Sequence, residues 1–374
     1  MVSIVATATN FPSSYYSQEV LAVALRKYCM AMDLDFDLDT IDRFFSNVKV
    51  KGRYFALPLD TFYDMQGFAT QSRATLETAL NLFEGAVRKL LEQTQVDPQT
   101  ISLLASVTLT IAIPPLEARL MNRIPFSPYV RRLPLFGYGC MGGAAGLSRI
   151  AEYLQGHPTE AAIMFVGELS SALWQGSLQL DLQSQVSQLA ENPAIYSDII
   201  SNIVTAALFA DGTAAILVVG EDHPFAQPGR PRVIDTRSIL LPNTGHLMGM
   251  DIVDTGFRNI LRPQVTEYLK DGLRKLIDPL LADHNLKIEQ IDRWIVHPGG
   301  PKVLDTVAEE FGLEPQQLHL SWEALAEVGN ISSATVIYML NQLFASKDQP
   351  SPGTYGLMIG MGPGFSQEAI LLQW

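Results

Sequence analysis

The stretch "PLFGYGCMGGAAGLSRIAEYL", Pro134 to Leu154, decides how this chain is read. Glycines and alanines follow an apolar segment and lead into the amphipathic run "LSRIAEYL", so a strand hands over to a helix. Cys140 stands at the junction, between Gly139 and the small residues Gly142, Gly143, Ala144 and Ala145. A helix N-terminus supplies free N–H groups and partial positive charge, both of which favour a thiolate. The glycines let the backbone turn sharply and let another molecule approach closely. Two readings stay open at this point: a nucleophile, or a buried cysteine where a helix packs tightly on a sheet.

Outward from this junction, strands and helices alternate. "VSIVATA" reads as a strand, "TLETALNLFEGAVRKLLEQ" as an amphipathic helix, and "ISLLASVTLT" as a buried strand. Helix "LSRIAEYLQG", strand "EAAIMFVGEL" and a strand, Asp-Gly turn and strand in "ALFADGTAAILVVG" complete a first half near Gly220. After the loop "EDHPFAQPGRPR" the pattern recurs. Strand "VIDTRSILL", helix "VTEYLKDGLRKLIDPLLADH", strand "RWIVHPGG", helices "PKVLDTVAEEF" and "SSATVIYMLNQLFASK", and strands "YGLMIGMG" and "EAILLQW" follow in order. The alternation gives an α/β class with a largely parallel sheet. The similarity of the halves implies internal duplication, with one half over residues 1–220 and the other over 221–374.

Composition narrows the function. Over 374 residues, 47% hydrophobic and 17% charged content suits two packed halves and excludes a disordered chain. Two cysteines, Cys29 and Cys140, make neither a disulfide framework nor a zinc pattern, which fits a reducing cytoplasm. Cys29 lies on an amphipathic helix and reads as core. The N-terminus has no signal-peptide pattern, and no apolar run is long enough to span a bilayer. A net charge of −13 argues against a nucleic-acid partner, so an anionic ligand needs a local basic patch.

Of six histidines, five fall in polar loops or at helix ends. His297 instead closes the apolar strand "RWIV" and opens the turn "HPGG", at the sheet edge where open α/β folds gather their chemistry. It reads either as a base beside a thiol or as a satisfied structural histidine. Asn330, in "AEVGNISSATVIYML", reads either as the N-cap of a long helix or as an amide donor to a developing oxyanion.

Taken together, Cys140 in "FGYGCMGGAAG", His297 in "HPGGP", Asn330 in "GNISSA" and the loop "GMGPG" with Gly360, Gly362, Pro363 and Gly364 resemble the type III polyketide synthases, the chalcone synthase-like condensing enzymes. The likeness runs from about residue 40 to the C-terminus, in the family's order and at compatible spacing. It implies a thiolase-like fold in which two duplicated αβαβα-type halves form a five-layer core. Papain-like proteases also order Cys, His and Asn, but their Cys-Gly-Ser-Cys-Trp context is missing here. Ketoacyl synthase III is a close relative, whose usual "His-Gln-Ala-Asn" and Gly-Phe-Gly-Gly-Gly segments are not those of this chain. A ketoacyl synthase III-like single condensing enzyme and a non-catalytic acyl-CoA-binding homologue stand as the alternatives.

The resemblance implies an acyltransferase in which Cys140, ion-paired as thiolate with His297, takes an acyl starter from CoA. His297 and Asn330 would hold the thioester oxygen of malonyl-CoA during decarboxylation, and the resulting carbanion would extend the chain repeatedly before ring closure. No metal and no cofactor is called for beyond the CoA thioesters. Phe209 in "LFADG" matches a gating phenylalanine. Arg43, Lys49, Lys51 and Arg53 in "DRFFSNVKVKGRYF", with Lys302, are candidates for the CoA phosphates, although Asn47 replaces a family lysine. Ile113 falls at the position that enters the partner's pocket in the family's homodimer.

The cavity is expected to differ from the plant enzymes, because Asn259 replaces their second gating phenylalanine and Met250 a small glycine. Met250, Phe257, Asn259 and Ser332 are the candidate cavity residues. The segments around them look closest to bacterial alkylresorcinol and alkylpyrone synthases, so the expected starter is a medium or long fatty acyl-CoA.

Overall fold

The computed structural model describes residues 1–63, 68–253 and 256–374. Its strands are β1 (Val2–Asn10), β2 (Ser14–Ser17), β3 (Gly52–Phe55), β4 (Leu103–Val107), β5 (Arg131–Leu135), β6 (Ala161–Leu169), β7 (Asp211–Val219), β8 (Arg232–Leu240), β9 (Met248–Val253), β10 (Gly256–Leu261), β11 (Ile291–Val296), β12 (Tyr355–Gly362) and β13 (Ser366–Gln373). Helices are α1 (Gln18–Ala31), α2 (Asp39–Asn47), α3 (Phe68–Thr94), α4 (Leu116–Leu120), α5 (Gly142–Gln155), α6 (Ser170–Gln188), α7 (Tyr196–Leu208), α8 (Val265–Asp283), α9 (Pro301–Phe311), α10 (His319–Val328) and α11 (Thr335–Ala345).

The expected duplication shows in how the strands pair. In one half β4 pairs β6 in parallel, β6 pairs β7 antiparallel, and β7 pairs β1 antiparallel. In the other half β11, β12, β13 and β8 repeat these three relationships in the same order. A short antiparallel contact, Val2 with Val233 and Ser3 with Arg232, joins the halves into one nine-stranded sheet. β5 extends the first half at its edge, so the repeat is not complete.

Helix α5 touches β4, β6, β7 and β1 of one half and β8, β12 and β13 of the other, and α11 packs beside it. Small residues permit this: a Cβ on Gly143 would stand 2.8 Å from a methyl of Val336 at the start of α11. On the outer faces, α3 presents Ala79, Leu80, Phe83, Ala86, Val87 and Leu90 at helical spacing to the first half, and α8 covers β8 and β13. Helix, sheet, buried helices, sheet, helix is the five-layer α/β arrangement expected.

Two sequence readings are corrected. The sheet is not largely parallel, because β7 and β13 return antiparallel and each pairs antiparallel with both neighbours. "ALFADG" is not a strand and turn: the apolar pattern of "IISNIVTAAL" carries α7 to Leu208, the N–H of Phe209 still bonds Thr205, and β7 begins directly at Asp211. Asp211 thus lies in the buried strand, where its carboxylate accepts from the backbone N–H of Ser171 at 2.7 Å and of Ala56 at 2.6 Å. A separate hairpin, β9 with β10, pairs Met250 with Asn259 and Ile252 with Phe257. Strand alternation puts those four side chains on one face and Asp251 and Arg258 on the other.

Candidate active site

A single 3-10 turn, Gly139–Met141, carries Cys140 into the start of α5. Gly139 has φ +51°, and a Cβ there would meet Pro363 at 2.9 Å, so the loop after β12 packs directly against the cysteine turn. Cys140 is 4% exposed. The Ser332 hydroxyl donates to its sulfur at 3.4 Å, and the Asn330 carboxamide also lies within hydrogen-bonding reach. Burial nevertheless dominates, with the carboxylate of Glu168 adding to it, and pushes the thiol up to about 11.

Asn330 does not cap the long helix. A 3-10 turn, Ser332–Ala334, intervenes before α11. The Asn330 Oδ1 accepts from the Ser332 N–H at 2.8 Å, which leaves the amide NH2 to face the sulfur. Ser332 itself holds φ +53°, a strained value for a serine, and is kept there by this bond. On the backbone, Asn330 bridges to the end of α7: its N–H bonds Leu208 at 2.8 Å, and its carbonyl accepts from Ala210 at 3.0 Å. The proposed gate residue Phe209 is therefore clamped between the two bonds that hold Asn330.

His297 continues the β11–β12 ladder, its N–H bonding the Ile359 carbonyl at 2.9 Å. The next residue on β12, Gly360, packs on Met141 and Ala144, the neighbours of Cys140. The imidazole is 1% exposed, and among the described residues neither ring nitrogen has a hydrogen-bond partner. Burial pushes its pKa down to about 3. Sulfur and carboxamide are thus brought together directly, whereas no hydrogen bond joins His297 to Cys140. Burial works against both charges of the expected thiolate–imidazolium pair, raising the thiol and lowering the imidazole.

Cys140 opens onto a cavity of about 300 Å³ that is also lined by Phe209, Met250, Phe257, Asn259, Ser332, Pro363 and Gly364. All four residues singled out as cavity candidates lie in that wall. Leu109, Met248 and Ile252 add an apolar surface that the sequence reading did not name, and half-exposed Phe136 stands at its edge. Gly360 and Gly362 lie behind the wall, against Met141. Glu168 was also missed. It is the second-last residue of the buried strand β6, accepts from the Leu109 N–H at 2.8 Å and the Ser333 hydroxyl at 3.1 Å, and burial pushes it up to about 8. Its signal was a carboxylate following the apolar run "AAIMFVG".

The basic cluster divides. Lys49, Lys51 and Lys302 are exposed, and Arg43 is exposed but paired with Asp37 at 3.1 Å. Arg53 does not belong to a phosphate patch. It is 0% exposed, its guanidinium donates to the Phe209 carbonyl at 2.6 Å, and it lies over the rings of Phe45 and Phe55. Arg53 lies within β3 and is buried, whereas Lys51 precedes that strand and is exposed. Ile113 lies outside the cavity and is 92% exposed.

A larger groove of about 470 Å³, between α3, α11 and β1, has no cysteine or histidine among the described residues of its lining. Among the described residues no cluster of three or more His, Cys, Asp or Glu side chains could hold a metal ion, and no helix is long and apolar enough to cross a membrane.

Sequence profiles match two parts of the chain: "Chalcone and stilbene synthases, C-terminal domain" over residues 233–374, and "FAE1/Type III polyketide synthase-like protein" over residues 54–179. A 1,3,6,8-tetrahydroxynaphthalene synthase of Streptomyces peucetius subsp. caesius is 36% identical over 373 residues, which span 100% of this chain and 93% of that protein. The alpha-pyrone synthesis polyketide synthase-like Pks18 of Mycobacterium tuberculosis is 25% identical over 89% of this chain and 82% of its own. Among solved structures, the 1,3,6,8-tetrahydroxynaphthalene synthase of Streptomyces coelicolor A3(2) superposes with a TM-score of 0.87 at 23% identity, covering 100% of this chain and 99% of that one. Similarity of this strength along the whole length means that the chain belongs to the type III polyketide synthases, acyltransferases that condense CoA thioesters with loss of carbon dioxide.

Proposed function

We propose that the protein loads a medium or long fatty acyl group from CoA onto Cys140, extends it with malonyl units and closes the chain to an alkylpyrone or alkylresorcinol. The observation that carries this reading is a buried thiol, with an amide and a hydroxyl at its sulfur, opening onto a mainly apolar cavity.

In the loading step the Cys140 S–H proton passes to His297 as the sulfur attacks the starter thioester. The new acyl–sulfur bond forms, the CoA–acyl bond breaks, and the proton leaves with the CoA thiol. A neutral imidazole then suits the second step. As malonyl-CoA loses carbon dioxide, the electron pair moves onto its thioester oxygen, where the imidazole N–H and the Asn330 NH2 act as preorganised donors. The carbanion attacks the acyl-Cys140 carbonyl, the sulfur leaves, and the lengthened chain on CoA returns to the cysteine for another cycle.

Phe209 serves as gate between the CoA passage and the cavity. Lys49, Lys51 and Lys302, with Arg43, form the surface for the CoA phosphates, where neutralising phosphate charge needs exposed cations. No further cofactor enters the cycle. The assembly is a homodimer in which Ile113 reaches the partner's pocket, the location is cytoplasmic, and sedimentation analysis tests the dimer.

One observation favours a second reading. The 36% identical relative is named for a tetrahydroxynaphthalene, an aromatic with no alkyl chain, and the cavity wall here carries polar Asn259. Incubation with malonyl-CoA and acyl-CoAs of graded length, followed by mass spectrometry, decides between them. Alkylated products support the fatty-acyl reading, product from malonyl-CoA alone supports the second, and turnover only with aromatic starters defeats both. Leaving out any carrier protein also separates these readings from a ketoacyl synthase III-like single condensation.

A further inference from the structure

Arg53 is a fully buried arginine whose hydrogen bonds are incomplete. Its Nη1 donates to the Phe209 carbonyl at 2.6 Å, while among the described residues Nε and Nη2 have no hydrogen-bond partner. Burial pulls its pKa down to about 9, against the opposing charge of Asp211. Taking a cation out of water is costly. An apolar side chain would fill the space between Phe45 and Phe55 without that cost. What only the arginine supplies there is a donor aimed at the Phe209 carbonyl.

That carbonyl belongs to the parallel bridge between Phe209 and Asn330. The Leu208 carbonyl accepts from the Asn330 N–H and the Ala210 N–H donates to the Asn330 carbonyl, so the Phe209 carbonyl between them is held from the other side, by Arg53. The arginine reaches the second strand of the bridge as well. Gly329, which precedes Asn330, has φ +69°, and a Cβ there would stand 2.8 Å from Cγ and 2.9 Å from Cδ of Arg53. The stem thus lies flat on the backbone that leads into Asn330. Beneath it β3 is pinned near both ends, since the Lys51 N–H bonds Ala326 at 2.8 Å and the Ala56 N–H bonds Asp211 at 2.6 Å.

We propose that Arg53 is a positioning residue for malonyl-CoA decarboxylation: its guanidinium on Phe209 and its stem on Gly329 lock the bridge that aims the Asn330 carboxamide at the reacting thioester. This rests on the reading of Asn330 as a donor to the enolate oxygen, and is independent of the starter. Arg53 touches neither Cys140 nor any residue of the cavity wall except Phe209 among the contacts described above, so its influence on the chemistry passes through the bridge. A preorganised donor loses its effect when it is misplaced by even an ångström. Removing Arg53 is therefore expected to slow decarboxylation through Asn330 and to add nothing once the Asn330 amide is gone.

The test is a double-mutant cycle on carbon dioxide release from radiolabelled malonyl-CoA, in wild type, Arg53→Met, Asn330→Ala and the double variant, at enzyme concentrations that keep the Asn330→Ala rate measurable. Leu90→Ala, in the buried face of the outer helix α3, serves as a variant that weakens the core without touching the bridge. Arg53→Met is expected to lower kcat by about 10- to 100-fold with KM for malonyl-CoA within about threefold. The double variant is expected to match Asn330→Ala within about twofold, and Leu90→Ala to lose stability without the kcat loss. Losses that multiply in the double variant overturn the proposal, because they mark a role that does not pass through Asn330. A wild-type kcat in Arg53→Met overturns it too, as does a rise in KM alone, which marks a phosphate contact, or an equal kcat loss in Leu90→Ala, which marks stability alone. Should Arg53→Met show no folding transition, Arg53→Lys, which keeps a cation near Asp211 without the planar fork, takes its place in the cycle under the same criteria. Asn330→Ala that releases carbon dioxide at the wild-type rate overturns the reading of Asn330 itself, and the role of Arg53 with it.

Discussion

The hydroxyl of Ser332 donates to the sulfur of Cys140 at 3.4 Å, from a residue whose own backbone is held at φ +53° by the Asn330 carboxamide. One short loop therefore governs the nucleophile twice, through a direct donor and through the amide that orients it. Ser332→Ala removes a donor whose effect is to stabilise the thiolate. A hydrogen bond to a charged group contributes about 1.5–3 kcal/mol, so alkylation of Cys140 at neutral pH is expected to slow by on the order of tenfold or more. The rate of iodoacetamide labelling against pH measures it, and an unchanged profile would refute the contact.

Asn330→Ala removes the amide that the proposed mechanism places on the enolate oxygen. Loss of a preorganised donor of this kind costs on the order of 10²–10³ in rate. Malonyl-CoA decarboxylation, followed by carbon dioxide release, is expected to fall by that factor. Cys140→Ser is expected to abolish starter loading while leaving the thermal transition in place, because a buried hydroxyl is a far weaker nucleophile than a thiolate at neutral pH.

Glu168 connects stability to pH. Its pKa is raised to about 8, with burial as the largest cause, so between its ordinary range and that value the folded protein holds a proton that the unfolded chain has released. The sign follows: the folded state binds more protons, and stability falls as pH rises through this window. Glu168→Gln, which keeps hydrogen-bonding capacity without the charge, is expected to flatten the decline in denaturation midpoint between about pH 5 and 8. The same variant should lower the apparent pKa of Cys140, since the Glu168 charge raises it. A wild-type stability that is flat over this range would contradict the burial argument.

Arg53 and Lys51 are expected to fail differently. Arg53→Met strips the bond to the Phe209 carbonyl and leaves Asp211, already pushed up to about 6 by burial, without its buried cation. Losing a hydrogen bond made by a charged group costs about 1.5–3 kcal/mol, read from urea denaturation. Lys51→Ala leaves stability within about 0.5 kcal/mol, as is usual for an exposed site, and raises the KM for malonyl-CoA in a salt-dependent manner. Equal KM effects from both substitutions would return Arg53 to the phosphate surface.

Much was legible in the chain because it is set by near neighbours. The helix at Val265–Asp283 and the strand at Ile291–Val296 follow from the spacing of apolar residues, which each segment carries within itself. "ALFADG" failed for the opposite reason. Its Asp-Gly pair signals a turn locally, yet the backbone N–H groups of Ser171 and Ala56, distant in the chain, hold Asp211 inside a buried strand. The strand directions in the sheet were likewise beyond local reading, because pairing depends on how each connection returns and not on the strand's own residues.

By itself the sequence determined the α/β elements, the family, and the residue types available for the chemistry: a thiol at a helix start, an imidazole at a strand end and an amide before a helix. Only the tertiary structure decided what those groups experience. It placed Ser332 and Asn330 on the sulfur, left both His297 nitrogens without partners among the described residues, buried Arg53 and Glu168, and set Met250, Phe257 and Asn259 in the wall of the cavity at Cys140. The reason is physical. Periodicity is a property of adjacent residues, whereas the burial that raises the thiol and lowers the imidazole arises only when segments far apart in the chain close over the same space.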